Sequence, residues 1–384
     1  MSGERLCARC VMDTTDPVIH FDAEGVCQYC RAYDRNVELH VHSGEEGRRR
    51  LEVITAEIRR AGAGRDYDCV IGVSGGVDST FAAHVARQWG LRPLAVHLDN
   101  GWDSELAVSN ISKALKALSV ELHTHVIDWE EFRDLQVAFL KASTPDSEIP
   151  TDHAIVALMY RTAWRIGARY VVTGYNYRTE SHLSPEWSQG HYDWRYIRSV
   201  HRRFGTRPLK TFPYLGWWDY RRSLKDLVTV DILNFADYRK AEAMRLLERE
   251  LGWRYYGGKH YESIYTRFFQ GYLLPRKFGY DKRKAHLSSL ICSGETSREE
   301  ALSELRKDPY PRELQEEDRT YVIKKLGLSE AEFDAILALP RRSYWDYPSY
   351  GRLYRNPLVR RAQAAYHRLR GSATAVSETT RDPS

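Results

Sequence analysis

The chain has 384 residues, enough for two or three domains, and its 42% hydrophobic content is ordinary for a globular protein. No run of about 18 apolar residues occurs, which argues against a transmembrane helix, and the first residues, MSGERLCARC, lack the apolar core of a secretion signal, so a cytoplasmic location is expected. Fifty-seven basic against 52 acidic residues leave a formal charge of +5, weak as an argument for a polyanionic partner though compatible with phosphate-bearing ligands.

Residues 1–46 hold four of the six cysteines, Cys7, Cys10, Cys27 and Cys30. They read C-x₂-C, sixteen residues, C-x₂-C, the spacing of a closed, structural zinc site in which two tight turns each offer a thiolate pair. Disulfides are the alternative, and a reducing cytoplasm disfavours them. Residues 47–63 read as an amphipathic helix leading into the main domain, placed at 47–236.

Asp68 to Val73 is a strand-like apolar run that breaks into Ser74, Gly75 and Gly76 before a helix begins near Val77. Glycines turn backbone N–H groups inward, Ser74 and Ser79 add hydroxyls, and the helix start adds partial positive charge, which together make an anion site. No Gly-Lys-Ser/Thr follows, so this is not a Walker A loop. Asp78 is out of place among phosphates unless both bind a Mg²⁺ ion. Cys69, inside the strand, reads as a small core residue.

Strands and helices then alternate: a strand at 94–98, helix 104–119, strand 121–127, helix 129–142, a loop STPDSEIPTD, helix 153–167 and strand 169–173. This rhythm predicts an α/β fold, a doubly wound parallel sheet, with ligands collecting at the carboxyl ends of the strands. His97, Asp99 and Asn100 lie at one such end, where a ribose or adenine would be read, although Asn-Gly is also a common turn. Gly174, Asn176 and Glu180 follow another, where a glycine permits close backbone approach and Glu180 reads either as a ligand or as a solvated residue.

Residues 182–222 mix Trp187, Trp194, Trp217, Trp218 and several tyrosines with arginines, which suits a nucleotide-sugar, RNA or a packed insertion with a basic rim. Residues 237–370 read as a mainly helical region, helical over 237–251, dense in charge around 259–284, and with a Ser297/Glu300 capping box. Cys292 carries no signal of its own, and residues 371–384 have the composition of a disordered tail.

SGGVDS resembles the SGGxDS loop of the PP-loop ATP pyrophosphatases, which cleave ATP to AMP and pyrophosphate while adenylating a carbonyl oxygen. The region EIPTDHAIVALMYR lacks the paired cysteines of tRNA thiolases in that superfamily. The stretches PTDHAI, VTGYNYRTES, GGKHYES and KFGYDKRKAHLSSLICSGETSREEAL, with the CARCVMD and CQYC knuckles, resemble the N-acetyl sugar amidotransferase family, the WbpG/PseA-like group, over roughly residues 5–310. That resemblance implies a HUP-like parallel sheet, ATP, Mg²⁺ and structural zinc. It implies a substrate that is an N-acetylated amino sugar, free or nucleotide-linked, whose acetamido oxygen is adenylated before ammonia converts it to an acetamidine. The setting implied is bacterial surface polysaccharide or nonulosonic acid biosynthesis. Ammonia would come from a separate glutaminase with a cyclase-like partner, of the imidazole-glycerol-phosphate-synthase type, since no glutaminase nucleophile is visible here. Lys259 and Lys277 are the candidates to stabilise the leaving pyrophosphate, and Asp152 or His153 to deprotonate ammonium, with His153 equally readable as helix-capping structure. An RNA-modifying PP-loop enzyme with a zinc module is the rival reading, opposed by the missing cysteines and the near-neutral charge; a non-catalytic nucleotide-binding scaffold is a further one, opposed by the intact Asp78.

Overall fold

The computed structural model describes residues 5–258, 260–355 and 357. Lys259 and the tail from 371 lie outside the described residues. Two helices come first, α1 (Gln28–His40) and α2 (Gly44–Ala61). The sheet region follows as β1 (Cys69–Gly72), α3 (Val77–Gln88), β2 (Pro93–Asp99), α4 (Glu105–Leu118), β3 (Glu121–Val126), α5 (Trp129–Ala142), α6 (Ile149–Ile166) and β4 (Tyr170–Thr173). Beyond it lie α7 (Tyr177–Glu180), α8 (Trp194–Phe204), α9 (Trp217–Asp226), β5 (Val228–Asp231) and α10 (Lys240–Leu251). The strand order is β3-β2-β1-β4-β5, every neighbouring pair parallel.

Side chains alternate along each strand, so a strand covered on both faces reads as apolar throughout. Val70, Val96, Leu98 and Val171 face one core, shared with α5, α6 and α8. Cys69, Ile71, Ala95, Val172 and Val230 face the other, shared with α2, α3, α4 and α10. Cys69 is thus fully buried in the sheet, as its place in the strand implied. The strand order reverses direction at β1, whose two neighbours β2 and β4 follow it in opposite directions across the sheet. The crevice beside such a reversal is where open parallel sheets bind ligands.

Two of the differences from the sequence reading lie in the sheet region. Helix α6 begins at Ile149 instead of near His153, because a proline in the first turn gives up only an N–H that would have no intrahelical partner. Strand β5 is a four-residue edge strand, too short for a visible alternation. Within 182–222 much of the aromatic cluster is packing. Trp187 and Tyr196 are buried, α8 lies against α5, and the Trp194 ring stacks on Tyr214 at 4.4 Å. Trp218 remains 78% exposed.

The C-terminal region is helical, as expected: α11 (Ile264–Phe268) runs through a π-helical turn (Phe269–Leu273) into α12 (Leu274–Phe278), followed by α13 (Lys282–Ser293), α14 (Arg298–Leu305), α15 (Arg312–Leu326), α16 (Glu330–Ala338) and α17 (Tyr350–Arg355). The Ser297/Glu300 box forms, each side chain taking up the other's backbone N–H at 3.1 and 2.8 Å. This region packs on the Val70 face of the sheet through Tyr265, Phe268 and Phe269. Among the described residues no helix is long and apolar enough to cross a membrane.

Candidate active site

The glycine loop between β1 and α3 is held by its own hydroxyls. Ser79 Oγ accepts from the Ser74 N–H at 3.2 Å and lies 3.1 Å from Ser74 Oγ, while Thr80 Oγ1 donates to the Gly76 carbonyl at 2.7 Å. Gly75 has φ +77°, and a Cβ there would sit 2.7 Å from the Ala107 carbonyl oxygen, so only glycine fits. The N-cap residue of α3, Gly76, has no side chain to cap the helix, and the Tyr256 hydroxyl meets the Val77 N–H at its start. Gly174, just past β4, approaches so closely that a Cβ would fall 2.7 Å from the Asp78 carbonyl carbon. The residue after β4 and the first turn of α3 therefore meet with backbone against backbone.

Asp78 lies in the first turn of α3, with Tyr238 donating to its Oδ1 and Lys240 Nζ 4.0 Å from its Oδ2. Burial and then the Asp78 charge push the Tyr238 phenol up, so it stays a donor. The Glu180 and Glu295 charges add to that upward push. Trp253 Nε1 donates to the Gly75 carbonyl at 2.9 Å and fixes the outer side of the loop. This loop with its carboxylate fits a magnesium–nucleotide pair: Asp78 is a carboxylate at a helix start, and Lys240 is a counter-cation for phosphate.

At the end of β2, His97 Nδ1 faces the Val73 carbonyl at 3.0 Å and Nε2 faces Asp103 at 3.1 Å. Burial pulls His97 down, yet the Asp103 carboxylate and the Val73 carbonyl outweigh it and the net shift is upward. Asp99 and Asn100 serve the turn itself, accepting from the Gly101 and Trp102 N–H groups at 2.9 and 3.1 Å. Asn100 also donates to Thr151 at 3.3 Å, which joins this strand end to the start of α6. Asn176 caps α7 by accepting from the Thr179 N–H at 2.9 Å, and its buried Nδ2 finds no protein partner.

The segment before α11 closes over this edge. Ser104 N–H donates to the Glu262 carbonyl at 2.8 Å, and Ile264 N–H donates to the Trp102 carbonyl at 2.9 Å. His260, at φ +65°, sets its Nδ1 3.5 Å from Glu262 Oε1. Burial raises the Glu262 carboxyl, but His260 and Lys240 pull it below its ordinary value.

A second polar group lies where α6 starts. His191 Nε2 is 3.3 Å from Asp152 and 3.9 Å from Asp146, and Lys282 Nζ is 3.9 Å from Asp146. Glu148, beside them, is pushed up to about 8 by burial and by the Asp146 and Asp152 charges. His153 is brought to the same place but committed. Its Nε2 accepts from the Leu215 N–H at 3.0 Å, Nδ1 faces the His191 carbonyl at 2.6 Å, and burial lowers it to about 4. Lys277 is not brought to the loop; its ammonium donates to the Ile336, Leu337 and Leu339 carbonyls at the end of α16. Tyr238 and Lys240, His191, and Glu148 carried no motif signal, because they come from three separate stretches and only the fold brings them to their partners.

The four N-terminal cysteines are buried, with ligand atoms all within 4.8 Å of one another. Cys7 Sγ accepts from the Arg9, Cys10 and Cys27 N–H groups at 3.4, 3.5 and 3.2 Å, the knuckle arrangement expected of the two C-x₂-C turns. Cys10–Cys27 and Cys27–Cys30 sulfurs are 3.7 Å apart, close to the edge of about 3.8 Å that 2.3 Å Zn–S bonds give in a tetrahedron. The donor set and geometry fit zinc. Arg298 donates to the Cys10 and Cys7 carbonyls at 3.2 and 3.0 Å and so ties these turns to α14.

Comparisons with known proteins bear on the region that closes the cleft. Residues 262–360 match the model described as "LPS biosynthesis protein WbpG-like, C-terminal domain". An uncharacterized protein of Methanocaldococcus jannaschii, MJ1599, is 23% identical over 333 residues, spanning 83% of this chain and 99% of its own length. Among solved structures, an NMN synthetase from Francisella tularensis is 19% identical with a TM-score of 0.29, over 36% of this chain and 58% of that one. An NH3-dependent NAD synthetase from Campylobacter jejuni is 14% identical with a TM-score of 0.32, over 74% of this chain and 97% of that one. The glycine loop thus lies at the head of the parallel sheet, and the segment that closes over its edge is similar to the WbpG-like C-terminal domain.

Proposed function

We propose that the protein is an ATP-dependent, AMP-forming amidotransferase that converts the acetamido group of an N-acetylated amino sugar, free or nucleotide-linked, into an acetamidine. The observation that carries this reading is the seating of the WbpG-like segment on the glycine loop's neighbours, with the Glu262 carbonyl bonded to Ser104 and Ser263 bridged to Asp103. Bound ATP would supply an adenylyl group, and Mg²⁺ held by Asp78 would offset the phosphate charge. The chain's own part is electrostatic. The N–H groups of the loop and of the first turn of α3 receive the phosphates, and Lys240 supplies the cation near them. Tyr238 holds Asp78 in one orientation.

Ammonium must lose a proton before it attacks. Asp152 paired with His191 is the proposed acceptor, and His153, buried and neutral, positions His191 through its carbonyl. Glu148 is protonated at neutral pH and adds no charge there. Ammonia is proposed to come from a partner glutaminase with a cyclase-like subunit, and the pathway to be bacterial surface polysaccharide or nonulosonic acid biosynthesis. The test is mass spectrometry of N-acetyl sugars incubated with the purified chain, ATP and Mg²⁺. Ammonium salts should yield product about one mass unit lighter, with the new group cationic, and glutamine alone should not. Pyrophosphate release stimulated by tRNA and by no sugar would overturn the reading in favour of RNA modification.

A further inference from the structure

Cys292 carried no sequence signal, and neither did His182. The fold brings both to the zinc module. Cys292 Sγ lies 3.7 Å from Cys30 Sγ, and His182 Nε2 lies 3.7 Å from Cys30 and 3.8 Å from Cys292. The three atoms form a nearly equilateral triangle, separate from the Cys7, Cys10 and Cys27 sulfurs and sharing only Cys30 with them. A tetrahedral zinc with about 2.3 Å bonds to sulfur and 2.1 Å to nitrogen has edges of about 3.8 and 3.6 Å, so all three sides match a ligand face.

The tautomer follows from the next neighbour. Ser289 Oγ donates to the Ala285 carbonyl at 3.3 Å, so it must accept at its 3.0 Å contact with His182 Nδ1. Nδ1 therefore carries the hydrogen, and the Nε2 lone pair points at the two sulfurs. A histidine fixed in this way by a second neighbour is the usual condition of a metal ligand. Without a cation the triangle is under-supplied with protons. Cys30 is needed as a thiolate for the first zinc, and the single Cys292 S–H can satisfy Cys30 or His182 but not both. His182 and Cys30 are buried and Cys292 is half-buried, so water can approach the group only from the Cys292 side.

We propose that Cys30, His182 and Cys292 hold a second zinc ion, with Cys30 bridging it to the first. Two sulfurs and one imidazole leave a fourth position for water. The ion would join α1, the segment after α7, and α13, three elements that already pack on one another. It would fix the far end of the turn carrying Glu180, whose charge reaches Tyr238 and hence the loop.

The experiment is zinc analysis of the full-length protein in reducing buffer, with Cys292→Ser and His182→Ala alongside, and with circular dichroism to show that each is folded. Two equivalents should be found in the wild type and one in each variant. Cobalt replacing zinc should show thiolate-to-metal absorbance about one third weaker in Cys292→Ser, since two of six sulfur–metal bonds would be gone. One equivalent or none in the wild type, or two that survive both substitutions, would overturn the proposal. Cys292→Ser changes a single atom on a half-exposed helix position, so the test stands even if His182→Ala does not fold.

Discussion

At the scale of single residues, Asp78 is the position on which most depends. Asp78→Asn keeps the bond from Tyr238 but removes the charge, and should lower pyrophosphate release by about 10²–10³-fold while the melting temperature stays near that of the wild type. Near-normal release from a folded variant would end its metal role. Lys240→Met should raise the KM for ATP more than it lowers stability, since the ammonium is 4.0 Å from Asp78 and partly open to the cleft. Glu148 predicts a pH effect. Its folded value of about 8 exceeds the unfolded 4.5, so the folded state keeps a proton that the unfolded chain gives up. Its contribution is complete below about pH 4.5 and is lost as pH rises through 8. Glu148→Gln should therefore flatten the fall in melting temperature over that interval, measured by thermal denaturation at a series of pH values. The shape of the loop was legible because it is local: glycines, hydroxyls and a helix start follow one another in the chain. Lys240 and Tyr238 were not legible, since nothing in their own neighbourhood says which distant carboxylate they meet. Lys277 read as a site cation because sequence shows its charge but not that three carbonyls of α16 already take it.

At the scale of elements, β1 to β4 could be read from their apolar runs and their spacing, and the zinc knuckles from cysteine spacing. The start of α6 was obscured by Pro150, which looks like a break and is tolerated in a first turn. Strand β5 was too short to show a period, and the aromatic segment 182–222 looked like a ligand surface because composition cannot separate a stacked core from an exposed platform. Gly174 joins β4 to α3 at contact distance, and Gly174→Ala should cost about 1–3 kcal/mol and depress pyrophosphate release beyond what the lost stability explains. Denaturant midpoints paired with activity would separate the two effects. Trp187, fully buried with its indole N–H unpartnered and its ring 5.5 Å from Tyr280, offers another check. Trp187→Ala should cost about 3–5 kcal/mol, and Trp187→Phe much less, because it keeps the ring stack and removes the orphan donor.

At the scale of the molecule, the zinc turns, the helix after β4 and the C-terminal helices form one packed unit around Cys30, Trp187 and Ala285. Chelating the metal should lower the melting temperature of the whole chain and not merely fray its start, because α1 packs on both α7 and α13. Zinc should also leave as pH falls, since every thiolate ligand must be deprotonated to bind. An unchanged melting transition after complete metal removal, verified by elemental analysis, would refute the coupling.

The β1–β4 pairing has a consequence for how the chain is made. Cys69 pairs with Tyr170, roughly a hundred residues later, and the cleft is roofed only by residues near 262. A ribosome emits the glycine loop long before it emits either wall. On the proposed function, the growing chain carries its glycine loop with no enclosure for an adenylate, and synthesis order itself withholds activity until the segment near residue 262 has left the exit tunnel. Nascent chains stalled at successive lengths should acquire pyrophosphate release in one late step, and not in proportion to the length of sheet already formed.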